Sequence, residues 1–221
     1  MLFGAYDLND NLESGRISIT PLEIHVHQKW NPNVIRYDYD VAILEFEVQI
    51  PFSIYIHSIC LWYDDTEPPQ HEGYVAGWGK SENERAHETI PKYIKVPIQS
   101  EEECFLAASG LRELSSPQTF CAGTLEGIGV CFADSGNGFF VKVNDLFYLR
   151  GIVSSSLTTD TGCDVTNYAV YTDAIKFRIW INSIIKQASN EPTLVGKLIR
   201  QRLNSMSRFF GISRPPFHPK A

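Results

Sequence analysis

Apolar residues fall in short runs separated by turn-forming clusters from residue 16 to about 172. The runs are Ile17–Ile19, Val41–Phe46, Tyr74–Ala76, Tyr93–Ile98, Phe139–Val143, Phe147–Ser154 and Ala169–Tyr171. Several are rich in β-branched and aromatic side chains, and Gly, Pro, Asn and Asp punctuate them, as strands and turns require. Two segments break the pattern. Ser100 precedes Glu101-Glu102-Glu103, a capping residue followed by acids in a first helical turn. From about Asp173 to Ile185 a stripe of Phe177, Trp180, Ile181, Ile184 and Ile185 predicts a second helix, with Asp173 as its cap. The pattern therefore predicts an all-β domain, barrel or sandwich, closed by a C-terminal helix.

Composition divides the chain. Residues 186–221 hold seven of the 19 basic residues and one of the 26 acidic ones, leaving 12 and 25 in residues 1–185. The formal net charge of −7 argues against nucleic acid as a partner. Within the basic end, Leu194, Val195, Leu198, Ile199, Leu203 and Met206 recur near helical spacing among Lys197, Arg200, Arg202 and Arg208. Such a segment could contact a membrane surface, but a loosely ordered tail is the simpler expectation. The opening residues lack a basic region and a long apolar core, so no signal peptide is expected there, and no stretch is apolar enough to span a membrane.

The chemistry is concentrated in Cys131-Phe132-Ala133-Asp134-Ser135-Gly136-Asn137-Gly138. A serine between Asp and Gly in a tight turn exposes its hydroxyl, and neighbouring backbone N–H groups can converge on one oxygen. Asp-Ser-Gly is also common in ordinary turns. Five other stretches change its meaning: Asp38-Tyr39-Asp40-Val41-Ala42-Ile43-Leu44 with an acid at the mouth of a strand, Gly77-Trp78-Gly79, Phe120-Cys121-Ala122-Gly123, Gly151-Ile152-Val153-Ser154, and Val170-Tyr171-Thr172 before the closing helix.

In that order the pieces resemble the chymotrypsin/trypsin family of serine proteases over roughly residues 4–185. Gly4-Ala5-Tyr6-Asp7-Leu8 and Trp30-Asn31-Pro32 resemble arthropod secreted cascade proteases of the clip type. The resemblance implies a chymotrypsin-like double β-barrel: an incomplete first barrel and connector over 1–70, a complete second barrel plus closing helix over 71–185, and a basic tail over 186–221. It implies Asp40 as the acid that orients a catalytic histidine and Ser135 as the nucleophile. The N–H groups of Ala133 and Ser135 become the oxyanion hole, and Asp134 the acid that pairs with a newly cut N-terminus on activation. The separation of Asp40 from Ser135 matches the roughly 93 residues of the family's triad. The same triad puts its histidine about 45 residues before the acid, which falls before Met1. The expectation is thus an N-terminally shortened serine endopeptidase, inactive as the chain stands, or a non-catalytic homologue that acts as a binding or regulatory module. His25, His27, His57, His71, His87 and His218 are expected to be ordinary histidines.

The pocket departs from the family pattern. Ala133 stands where a glycine belongs, Gly129 occupies the pocket base, Ser154-Ser155-Ser156 replaces a Ser-Trp-Gly wall, and Ala169 replaces a lining glycine. Gly129 argues against cleavage after Arg or Lys and for a small or apolar residue. The resemblance pairs Cys104 with Cys121 and Cys131 with Cys163, leaving Cys60 free where relatives tether an upstream module. Disulfides imply an extracellular setting. Protein or peptide substrates or cascade partners are expected, with no metal and no cofactor.

Overall fold

The computed structural model describes residues 1–190 except 35, 64–65, 80–87 and 161. The segment expected to form the basic amphipathic tail, together with His87 and His218, lies outside the described residues. No described helix is long and apolar enough to cross a membrane.

Four strands come from the first part of the chain: β1 (Leu2–Phe3), β2 (Ile17–Ser18), β3 (Glu23–Val26) and β4 (Ala42–Glu45). They form two separate two-stranded sheets, β1 with β2 and β3 with β4. The rest is one larger sheet built from β5 (Cys60–Leu61), β6 (Glu72–Gly77), β7 (Lys92–Gln99), β8 (Thr119–Ala122), β9 (Gly138–Val143), β10 (Leu146–Ser156) and β11 (Ala169–Asp173). Its order is β11-β8-β7-β6-β9-β10, and β10 pairs back onto β11. Six antiparallel strands therefore close a barrel, which removes their free edges. β5 lies outside it, parallel to β10 at Tyr148 and Leu149. The mostly β expectation is met, and every apolar run named above coincides with a strand to within a few residues.

Local chemistry explains the elements. Asn144 and Asp145 both take positive φ, 48° and 63°, between the paired Val143 and Leu146. That two-residue turn matches the right-handed twist of the strands it joins. Helix α1 (Glu101–Ala107) begins with a reciprocal capping box, in which the Glu103 N–H donates to Ser100 Oγ and the Ser100 N–H donates to Glu103 Oε2. A short helix α2 (Ser109–Leu114), absent from the sequence expectation, follows it. Helix α3 (Arg178–Asn190) starts five residues later than the pattern predicts. Asp173 does not cap it. Its Oδ1 accepts from the Ile175 N–H and pairs with Arg150, so the carboxylate shapes the turn between β11 and the helix.

The barrel core is Val75, Val96, Ala122, Val130, Phe139, Val141, Val153, Ala169 and Tyr171. Phe120 stacks on Tyr171 at 5.3 Å between ring centroids. Burial holds the Tyr171 phenol well above its ordinary pKa, so this core hydroxyl stays neutral. Arg150 is fully buried, with its guanidinium over Phe120 at 4.3 Å and ion pairs to Asp173 and Glu67. A buried cation persists only when paired in this way. Cys104 joins Cys121 and Cys131 joins Cys163, the two pairings expected, while Cys60 is free.

The first part of the chain is held differently. Leu22, Ile24 and Val26 are 51%, 58% and 53% exposed. None of the residues in the two buried clusters comes from residues 1–70. One anchor is His27, stacked on Tyr39 at 4.8 Å and packed against Phe177 and Trp180 at 5.4 and 4.9 Å. Desolvation, reinforced by the nearby Lys29 charge, lowers the His27 pKa.

Two outcomes are expected. Amide hydrogen exchange in β3 and β4 proceeds through local opening, far faster than in β9 and β10, because few buried apolar contacts oppose it. Equal protection in the two regions contradicts this. A histidine whose folded pKa is depressed stabilises the fold fully above its unfolded value of about 6.5 and loses that contribution as pH falls below it. Melting temperature therefore drops between pH 7.5 and pH 5, and H27F, which keeps an aromatic ring without the titration, flattens the drop. A parallel fall in both proteins refutes the role assigned to His27.

Candidate active site

Strand β10 organises the site. Between Val153 and Ser155 its pairing with β11 slips, so Ser154 is the extra residue of a bulge, flanked by the pairs Val153–Tyr171 and Ser155–Val170. Bulges re-aim a side chain out of the ladder. Here Ser154 Oγ donates to Asp40 Oδ2 at 2.7 Å. Thr172 on β11 donates from Oγ1 to the Asp40 carbonyl oxygen at 2.9 Å. Two barrel strands thus fix both the side chain and the backbone of Asp40, which follows Tyr39 at φ 60°.

The serine loop is tied to the neighbouring residue of the same strand. Gly136 N–H donates to the Val153 carbonyl at 2.8 Å, and Val153 N–H donates to the Asn137 carbonyl at 2.9 Å. Within the loop, Asp134 N–H donates to the Cys131 carbonyl and Asn137 N–H to the Asp134 carbonyl, both at 3.0 Å. The Cys131–Cys163 bridge fastens its start, and Gly136 at φ +88° turns it. Ser135 is exposed at the tip. Asp40 and the serine loop are therefore held by adjacent residues of one strand, Ser154 and Val153.

Asp134 is enclosed by neutral donors. Its Oδ1 accepts from the Gly79 N–H at 3.0 Å and from Asn137 Nδ2 at 3.2 Å, and its Oδ2 accepts from the Cys131 N–H at 3.0 Å. A Cβ at Gly77 would collide with Asn137 Nδ2, and one at Gly79 with the Asp134 carboxylate. The Gly-Trp-Gly stretch thus carries glycines because the serine loop packs onto its backbone. Trp78 itself reaches back to donate from Nε1 to the Tyr6 carbonyl at 3.1 Å.

Ala133 adopts φ +70°, the left-handed region that favours glycine. Among the described residues, the N–H groups of Ala133 and Ser135 have no protein acceptor. Of the expected pocket residues, Ser155 and Ser156 continue β10, Ala169 pairs with Ser156, and Gly129 abuts Val165, which leaves only 3.3 Å between an added Cβ and Val165 Cβ. Ser154, expected as pocket wall, also donates its hydroxyl to Asp40.

The described histidines have other engagements or none with these groups. His25 Nε2 lies 2.9 Å from Glu45 Oε2. His27 sits in its aromatic cluster and accepts the Lys29 N–H on Nδ1 at 3.2 Å. Sequence reasoning missed Ser154 and Thr172 as supports of Asp40, and Gly79 and Asn137 as supports of Asp134. Nothing short of the folded contacts signals either set.

The Trypsin family matches residues 1–181. Serine protease gd of Drosophila melanogaster is 28% identical over 84% of this chain and 41% of its own length. Haptoglobin of Mesocricetus auratus is 28% identical, and that of Rattus norvegicus 29%, each over 64% of this chain and 44% of the relative. The chain spans less than half the length of these relatives. The match over residues 1–181, together with the closed six-stranded barrel, makes the chain a member of the trypsin family of serine proteases.

Proposed function

We propose that the chain carries two members of an acyl-transfer site for peptide bonds, Ser135 as nucleophile and Asp40 as the acid that orients a general base, and that in isolation it does not turn over substrate. The observation that carries the reading is the 2.7 Å bond from Ser154 to Asp40, made by the residue next to the one that pins the serine loop. The free N–H groups of Ala133 and Ser135 fit an oxyanion hole. An unassisted serine hydroxyl is a poor nucleophile, and His25 and His27 are committed to other partners. Gly129 and Ala169 fit a pocket for small or apolar side chains. The substrates are proteins or peptides, and two disulfides support an extracellular setting.

A second reading, a non-catalytic homologue that binds a partner through the same surface, is favoured by Ala133. Its methyl group sits in a left-handed conformation at the oxyanion loop. The cost is on the order of 1–2 kcal/mol, which an active enzyme avoids with glycine.

A fluorophosphonate probe separates these possibilities. The isolated chain labels at background, since loss of the base costs roughly 10⁶ in turnover in a comparable serine hydrolase. Imidazole at high concentration raises labelling of the wild type and leaves S135A unlabelled. Prompt labelling without imidazole overturns the inactivity proposal, and no rescue by imidazole supports the second reading. For stability, S154A costs about 1–3 kcal/mol because it strips a hydrogen bond from a carboxylate. S135A, at the exposed tip, stays within about 0.5 kcal/mol. Denaturant melts of the two variants check the contrast, and equal effects count against the support assigned to Ser154.

A further inference from the structure

The hairpin that leads to Asp40 carries two carboxylates face to face, because Glu23 on β3 and Glu45 on β4 are direct cross-strand partners. Like charges in that relation destabilise a sheet. Both lie on the face that also bears His25, two residues along β3. His25 Nε2 is 2.9 Å from Glu45 Oε2, and Nδ1 is 3.7 Å from Glu23 Oε1. One ligand atom from each residue brings three together within 4.8 Å of one another. The His25 and Glu45 side chains are each 19% exposed and the Glu23 side chain 62%. Two donors are thus seated by packing, and the third is an arm at the solvent edge.

We propose that Glu23, His25 and Glu45 bind a divalent transition-metal ion, zinc above all, on the β3–β4 hairpin. This departs from the sequence expectation of no metal. An imidazole nitrogen with carboxylate oxygens suits zinc, whereas calcium and magnesium prefer oxygen alone. With bonds of about 2.0–2.2 Å, tetrahedral ligand atoms stand roughly 3.3 Å apart. The His25–Glu45 gap then widens by about 0.4 Å, Glu23 swings in, and water fills the fourth position. A doubly charged ion between the carboxylates removes their repulsion even when His25 is neutral. It also cross-links β3 to β4 at the end opposite Val26 and Ala42, the pair that adjoins Val41 and Asp40. The ion acts as a clip that fixes the register of a hairpin with little buried apolar support.

The test is calorimetric titration of zinc chloride into the metal-free full chain, with cobalt(II) as a spectroscopic probe. One equivalent of zinc binds, the melting temperature rises, and affinity falls as pH drops and the ligands protonate. H25Q and E45Q each weaken binding by at least about tenfold, as loss of groups around a metal does. E23Q, an exposed change that leaves the hairpin's packing intact, weakens it by less and gives a reading even if the other variants fail to fold. Absence of one-to-one binding overturns the proposal. So does binding that is undiminished in E23Q and H25Q, or lost in C60S instead, which assigns the ion to the lone thiol.

Discussion

The hydrogen bond from Ser154 to Asp40 joins residues 114 positions apart. It exists because β10 breaks its ladder for one residue. A regular strand would point Ser154 into the pairing pattern of its neighbours, and the bulge frees the hydroxyl to meet a carboxylate that arrives from the other half of the chain. The next residue back, Val153, exchanges two backbone hydrogen bonds with the serine loop. One strand thereby positions two groups that no local interaction could bring together. The closed barrel makes this possible, since a strand bonded on both sides cannot drift.

The serine loop is stiffened from a second direction by Asp134. Three neutral donors, two of them backbone N–H groups, hold its carboxylate. This cage of three bonds ties the loop to the Gly-Trp-Gly turn and to its own two ends. The two glycines of the Gly-Trp-Gly turn are the steric condition for it, because any Cβ there would occupy the place of Asp134 or Asn137. The same loop holds Ala133 at positive φ. The cage and the Cys131–Cys163 bridge over-determine the backbone enough to keep an unfavourable conformation in place.

The two parts of the chain are stabilised by different physics. Residues after 70 bury a continuous apolar core around Phe139 and Tyr171, with Arg150 neutralised inside by Asp173. Residues before it rely on an aromatic cluster at His27, on the pairing of β5 with β10 beside Trp62, on polar ties such as Arg16 to the Asp7 and Asp10 carbonyls, and on the Asp40 contacts. Asp40 therefore sits where a loosely packed segment meets a rigid one, and its geometry is inherited from the rigid side.

Strand positions were legible from the sequence because runs of β-branched and aromatic side chains between turn-forming residues are local signals, as in Tyr93–Ile98. Both disulfide pairings were legible through resemblance, since the motifs that carry the cysteines keep their order along the chain. The helix start was misjudged at Asp173, because a carboxylate before an apolar stripe looks like a cap until a buried arginine claims it. The sequence by itself determined which residues could form strands and which could do chemistry. Only the tertiary structure decided the β10 bulge, the cage around Asp134, the commitment of His25 and His27 to other partners, and the meeting of Glu23, His25 and Glu45. Each depends on a through-space contact across strands, and cross-strand register is set by the closure of the whole sheet rather than by any local run of residues.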